Sequence, residues 1–364
     1  MSAQAHPRLV TLVREAKGWS QRELAEAAGL SQAFVSKIES GLADLQGENL
    51  ESVATALECL PQLLTDDTPI QGLEVTCLHH RRRHSKIPAA AKRRIEAVTH
   101  LTRISVEGLL NGIEIVPEAH LERLDIDEYG GDPEEIARAL RVHWRVPAGP
   151  ISNVVKLLEA VGVIVVVRDL GTKAQDAVST WPHDADRPPM MLINAGLAGD
   201  RQRFTTCHEL GHLVMHRLPG EEQEKQADKF AAEFLAPGED IQPDLAGLTT
   251  RDFPRLMELK AKWGISIAAL IRRAKDLEII SDRQYKEFQI KLGRLGWRMI
   301  EPGTMPAEMP ATLDAVLDTH MHEHGYSVGE LARTAVMTKT AFVRHYLPSG
   351  GPEQPRTQLR VVKP

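Results

Sequence analysis

Residues 203–216 read RFTTCHELGHLVMH, with His208 and His212 four residues apart and Glu209 directly after the first histidine. On an α-helix residues four apart share one face, so such a pair can act together there. The stretch is therefore expected to be helical and closely packed. Gly211 costs about 1 kcal/mol against alanine inside a helix, and its use there is to let another backbone or a bound ion come near.

Two imidazoles on one face suit zinc when a third protein ligand joins them and one position stays open for water. Glu209 would then lie beside the open position, able to take a proton from water. The alternative is an ordinary metal-free helix. The next helical stretch, EEQEKQADKFAAEFLAP, bears on the choice. Ala227, Phe230, Ala231, Phe234 and Leu235 recur at helical spacing as an apolar face. Glu224 and Asp228 fall on that face, while Lys225, Lys229 and Glu233 are expected to point away. Carboxylates on a core-facing stripe need partners. Glu224 is thus the expected third ligand, and Asp228 the acceptor for a ligand histidine N–H, fixing its tautomer. One zinc per chain follows. His216 is eight residues beyond His208, roughly 12 Å along a helix, too far to share the same ion. It reads as a core or substrate-facing histidine, and Cys207 as a small packed residue.

At 364 residues the chain exceeds one typical core and suits two or three domains. The densest apolar run, VGVIVVV at 161–167, is broken by Arg168 and Asp169 and reads as a buried strand, not a membrane span. No membrane partner is expected. The start, MSAQAHPRLV, has no apolar leader, and three cysteines without CxxC spacing give no disulfide framework, so the cytoplasm is the expected compartment. With a net charge of −6, contact with nucleic acid must come from a local patch. The run from Leu78 to Arg103 holds eight Lys or Arg against one Glu, and reads equally as a solvated face or linker and as a phosphate contact.

The first sixty-odd residues are helical by pattern. Around SQRELAEAAGLSQAFVSKIESG, two short helices meet at Gly29-Leu30, Ser31 caps the second, and Phe34, Val35 and Ile38 form its buried side. This is a helix-turn-helix, whose second helix enters the major groove by its N-terminal half. Gln32, Ala33, Ser36 and Lys37 would face the bases and Gln21 would reach a phosphate. The stretch resembles the Cro/repressor or XRE-type DNA-binding domain, which implies an operator as partner and a homodimer on half-sites. A helical bundle used for protein docking is the alternative.

The expected fold class is α-rich α+β and multidomain. An all-α helix-turn-helix domain spans 1–66, ending at TDDTPI, and an α+β domain spans 67–292, with a strand at 161–167 and another, MMLIN, at Met190–Asn194. MMLIN could offer its edge to an extended peptide. Residues 293–364 form a C-terminal helical module. Within it GYSVGELARTAVMTKTAFVRHY echoes GWSQRELAEAAGLSQAFVSKIE, a degenerate second helix-turn-helix in which Val336 replaces the turn glycine and His345 takes the buried place of Ile38. Docking or dimerisation suits this copy better than DNA contact. The tail after Pro348 is expected to be disordered.

The spacing of Glu224 and Asp228 behind HELGH resembles the glutamate-ligand branch of the zincin metallopeptidases. The helix-turn-helix, then PAGPISNVVKLLEAVGVIVVV, RFTTCHELGHLVMH and EKQADKFAAEFLAP, together resemble the ImmA/IrrE family of metallopeptidases fused to XRE domains, over about residues 8–292. In FLAP this chain has Ala236 where the family usually has methionine, a packing position. The resemblance implies a zinc-dependent endopeptidase that cleaves a repressor-like regulator to control transcription, as in stress responses. The alternative is a transcriptional regulator whose zincin-like domain senses a ligand or metal without proteolysis.

Overall fold

The computed structural model describes residues 4–65, 87–182, 187–217, 220, 222–298, 300–347 and 358–361. Cys77, most of TDDTPI, the first half of the basic run and most of the tail lie outside the described residues.

The N-terminal unit comprises α1 (Pro7–Ala16), α2 (Gln21–Ala28), α3 (Gln32–Glu39), α4 (Gly47–Leu57) and α5 (Pro61–Leu64). Ser20 and Glu23 close a capping box at the start of α2, and the Ser31 hydroxyl accepts the Phe34 N–H at the start of α3. Between them Gly29 takes a left-handed φ of +68°, which turns the chain without strain. Leu24, Ala25, Val35 and Ile38 are buried against Val10, Val13, Leu50 and Val53, each large side chain contributing about 1.5–3 kcal/mol. Phe34 is only partly covered.

The long α6 (Ala89–Leu109) packs along α1, where Leu9, Leu12 and Ala97 make a small core of their own. In the described half of the basic run three arginines hold partners within the fold. Arg93 pairs with Glu15 at 3.0 Å, and Arg94 lies 4.0 Å from Asp169. Arg103 is buried and donates to the Thr180 carbonyl and hydroxyl at 3.2 and 2.6 Å.

After β1 (Ile113–Val116), α7 (Pro133–His143) and α8 (Val154–Ala160) comes a three-stranded sheet of β2 (Ile164–Arg168), β3 (Ala177–Thr180) and β4 (Met190–Asn194). Its order is β2-β4-β3, with β4 parallel to β2 and antiparallel to β3. MMLIN is therefore the middle strand and both its edges are paired, so it cannot accept an added peptide strand. The outer strand beside it is β3, in a stretch whose polar, proline-rich surroundings hid it. Alternation sends Val165, Met191, Ile193 and Ala177 to one core and Ile164, Val166, Met190, Leu192 and Val178 to another, which is why these strands read as unbroken apolar runs.

The first of these cores is closed by α9 (Gly199–Met215), α10 (Gln223–Leu235), α11 (Gly238–Leu245), α12 (Phe253–Trp263), α13 (Ile267–Asp276) and α14 (Asp282–Arg294). The second is closed by α6 with α15 (Thr312–His322), α16 (Val328–Thr334) and α17 (Lys339–Tyr346). The short β5 (Gln358–Val361) pairs antiparallel with β1.

The C-terminal echo of the helix-turn-helix forms two short helices, α16 and α17, joined by a tight turn. Ser327 and Glu330 form a capping box, Thr338 caps α17, and Val336 takes the left-handed φ of +55° that Gly29 takes in the first copy. His345 is not in the buried place of Ile38, however. It is exposed, its carbonyl accepts from Arg168 at 3.0 Å, and Tyr346 is the buried residue. The module docks on α6, where the Ser105 hydroxyl donates to the Ala335 carbonyl at 3.0 Å. A Cβ at Gly108 would stand 2.3 Å from the Thr334 carbonyl oxygen, so only glycine admits this approach.

Candidate metal centre

The helix α9 places His208 and His212 one turn apart with Glu209 between them, all buried, and α10 crosses it closely. Gly211 marks the crossing: an added Cβ would meet Phe230 Cδ1 at 3.1 Å and Ala227 Cα at 3.3 Å. The Phe230 ring and the α10 backbone at Ala227 both close on this point, and α10 brings Glu224 up to the histidines.

His212 Nε2 lies 3.1 Å from His208 Nε2 and 3.3 Å from Glu224 Oε1, and His208 Nε2 lies 3.8 Å from Glu224 Oε2. One donor atom from each of these residues falls within 4.8 Å of the others, a cluster of the size that can hold a metal ion. The backs of both rings are engaged. His208 Nδ1 is 2.8 Å from Asp228 Oδ1, and His212 Nδ1 is 2.9 Å from His216 Nδ1. With their Nδ1 atoms so occupied, both histidines turn Nε2 toward the Glu224 carboxylate, a donor set that fits a divalent cation. Burial disfavours a charged His208. The bond to Asp228 and the charges of Glu209, Asp228 and Glu224 outweigh it, so its pKa is raised and the place draws positive charge.

The carboxylates lie differently from the apolar stripe on which the sequence put them. Glu224 is half-buried and Asp228 is exposed at the rim, still within reach of the His208 ring. Glu233, expected to point away, is buried, because Arg273 and Arg138 reach it from α13 and α7 and the Gly238 N–H donates to it. Its partners lie far along the chain, beyond any helical period. His216 is a core residue, 3% exposed. Cys207 is fully buried, and burial pushes its thiol pKa up, which removes thiolate chemistry.

Ser179 was missed altogether. From β3 its hydroxyl donates to Glu209 Oε2 at 2.8 Å and holds that carboxylate in place. No local pattern marks it, since thirty residues separate the two.

A cleft of about 1170 Å³, with Asp176, Thr205, Asp228, Trp297, Ile300 and Met305 among its lining, reaches Asp228 but not His208, Glu209, His212 or Glu224 themselves. At the N-terminal unit, Gln32, Ala33, Ser36 and Lys37 are exposed along α3. Gln21 is not turned outward: its amide donates to Glu39 Oε2 at 2.9 Å, and Glu39 is also held by Arg14 at 2.6 Å. Among the described residues no helix is long and apolar enough to cross a membrane.

A capped helix-turn-helix joined to an α+β domain with a histidine–glutamate cluster defines a class, a DNA-binding-type module fused to a peptidase-like domain. Residues 12–64 match the helix-turn-helix family model. Residues 158–275, from α8 into α13, match the model of the IrrE N-terminal-like domain, the Peptidase_M78 family. The chain is thus similar to an XRE-type helix-turn-helix domain over its first part and to an IrrE-like domain over its centre. No curated protein matches it.

Proposed function

We propose that this protein is a DNA-binding, zinc-dependent endopeptidase that cleaves a repressor-like regulatory protein. Residues 1–66 would bind DNA, 67–292 would hydrolyse the peptide and 293–364 would form a docking module. The observation that carries the reading is the convergence of His208, His212 and Glu224 on one point, with Glu209 next in line on the same helix. In this reading the first three hold one zinc ion per chain, and bound zinc would polarise the scissile carbonyl and acidify water. Glu209, steadied by Ser179, would take the proton of the attacking water and return it to the leaving amine nitrogen. Asp228 would fix the tautomer of His208. Gln32, Ala33, Ser36 and Lys37 would read the operator, with the unit pairing across half-sites as a homodimer. Gln21 would support α3 through Glu39 rather than reach a phosphate.

The test is zinc content by mass spectrometry, then new N-termini in a proteome-derived peptide library. Wild type should carry about one zinc and cleave. Glu224→Ala should lose the metal, and Glu209→Gln should keep it and cleave nothing. Zinc-loaded wild type that generates no new termini would instead favour a regulator whose IrrE-like domain senses metal. That second reading draws on Glu209 being only 2% exposed and on the close docking of the N-terminal unit against α6.

A further inference from the structure

We infer that His216 and Gln226 form a relay that sets the tautomer of His212, and so decides whether His212 Nε2 presents a lone pair to a cation. The inference rests on the reading of His208, His212 and Glu224 as metal ligands. His212 is fully buried, and its Nδ1 lies 2.9 Å from His216 Nδ1, while His216 Nε2 lies 3.0 Å from Gln226 Oε1.

The protons follow from the end of the chain. An amide oxygen only accepts, so His216 Nε2 must carry a proton. A neutral imidazole has one N–H, so His216 Nδ1 is the acceptor of the next bond. His212 Nδ1 then donates, and its Nε2 is left with a lone pair. That atom is the one 3.3 Å from Glu224 Oε1 and 3.1 Å from His208 Nε2. Turning the Gln226 amide over moves every proton. Its N–H would donate to His216 Nε2, His216 Nδ1 would donate to His212 Nδ1, and the proton would end on His212 Nε2, where it blocks a cation.

The two ligand histidines are therefore set by different means. His208 faces a carboxylate, Asp228, which accepts from either oxygen and cannot be inverted. His212 faces a neutral relay with a direction. Glu224, Gln226 and Asp228 all stand on the first two turns of α10, so one helix supplies the carboxylate ligand and both terminal acceptors. The relay also accounts for His216, whose two ring nitrogens are turned to His212 and Gln226. His216 and Gln226 are positioning residues, acting only through His212.

The test uses full-length protein and zinc affinity measured by competition with a chromophoric chelator. Gln226→Leu removes the terminal acceptor and should weaken zinc binding by about 10- to 100-fold. Gln226→Glu offers acceptors only and should stay within a few-fold of wild type. A second readout needs no metal. In protein labelled with ¹⁵N-histidine, the apo wild type should show His212 protonated at Nδ1 and His216 at Nε2. Gln226→Leu should lose that pattern and Gln226→Glu should keep it, which a merely space-filling role would not produce. Wild type that takes up no zinc overturns the metal-centre reading and this inference with it. Wild type that binds zinc while Gln226→Leu binds it as tightly, or while Gln226→Glu loses as much as Gln226→Leu, overturns the relay alone.

Discussion

Gly211 sets the distance between the two helices that make the cluster. In Gly211→Ala the new Cβ would press on Phe230 Cδ1 and on the α10 backbone at Ala227, and a phenyl ring stacked on Phe234 has little room to yield. Overpacking of this kind costs about 1–3 kcal/mol, against about 1 kcal/mol gained in helix propensity. The expected outcome is a lower melting temperature together with weaker zinc binding, because Glu224 moves outward with α10. An alanine variant that melts higher and binds zinc unchanged would show that the crossing is slack. On α3, Gln32 and Lys37 are exposed and hold no core contact, so their alanine variants should fold as wild type does. Each should lose about 1–3 kcal/mol of operator affinity, about five- to over a hundredfold, by fluorescence anisotropy on a selected site. Equal loss on unrelated DNA would make Lys37 a phosphate contact instead.

Between elements, the interface of α1 with α6 carries a pH dependence. Burial pushes the pKa of His100 on α6 down to about 4, with Arg8 and Arg103 adding to it. Its folded pKa therefore lies below its unfolded value near 6.5, and between the two the unfolded chain takes up a proton that the folded chain refuses. Stability from this site is complete above pH 6.5 and is lost as pH falls toward 4. Discounted for partial exposure, the loss between pH 7 and pH 5 is on the order of 1 kcal/mol. The protection factors of amides in α1 and α6, corrected for the intrinsic pH dependence of exchange, should fall over that range in wild type and less so in His100→Gln; an equal fall in both would assign the effect elsewhere. What the sequence disclosed at this scale follows the range of the interactions. Capped helices at Ser20 and Ser31, and the His208–His212 face, depend on residues a turn apart and were legible. Strand β3, the partners of Glu233 and the Ser179–Glu209 bond depend on residues tens of positions apart and were not. The same holds for the segment around 301–311. There Glu301 caps the start of α13, Glu308 pairs with Arg203, and the Ala311 and Thr312 N–H groups donate to Glu159.

At the scale of the whole molecule, contacts among the described residues fasten the DNA-binding unit at two places. Leu9 and Leu12 of α1 lie against Ala97 of α6, all nearly or fully buried. Val336 in the C-terminal module packs on the N-terminal core, beside a bridge between Cys59 and Met337 and an ion pair of Arg344 with Glu58 at 3.3 Å. A left-handed valine is strained by its branched side chain, and the contact with the neighbouring unit is what holds it. Arg103 continues the connection from α6 to Thr180, next to the serine that holds Glu209. A unit of about sixty residues is marginal alone, so its stability should be borrowed from these contacts. Wild type is expected to unfold in one calorimetric transition. Ala97→Asp places a charge in a fully buried position and should cost several kcal/mol there. The N-terminal unit should then melt separately and earlier, while the IrrE-like domain keeps its own transition and whatever zinc affinity wild type shows. If wild type already melts in two steps and Ala97→Asp leaves the lower one unmoved, the interface carries no stability, and the DNA-binding unit is only tethered to the domain whose chemistry it would deliver.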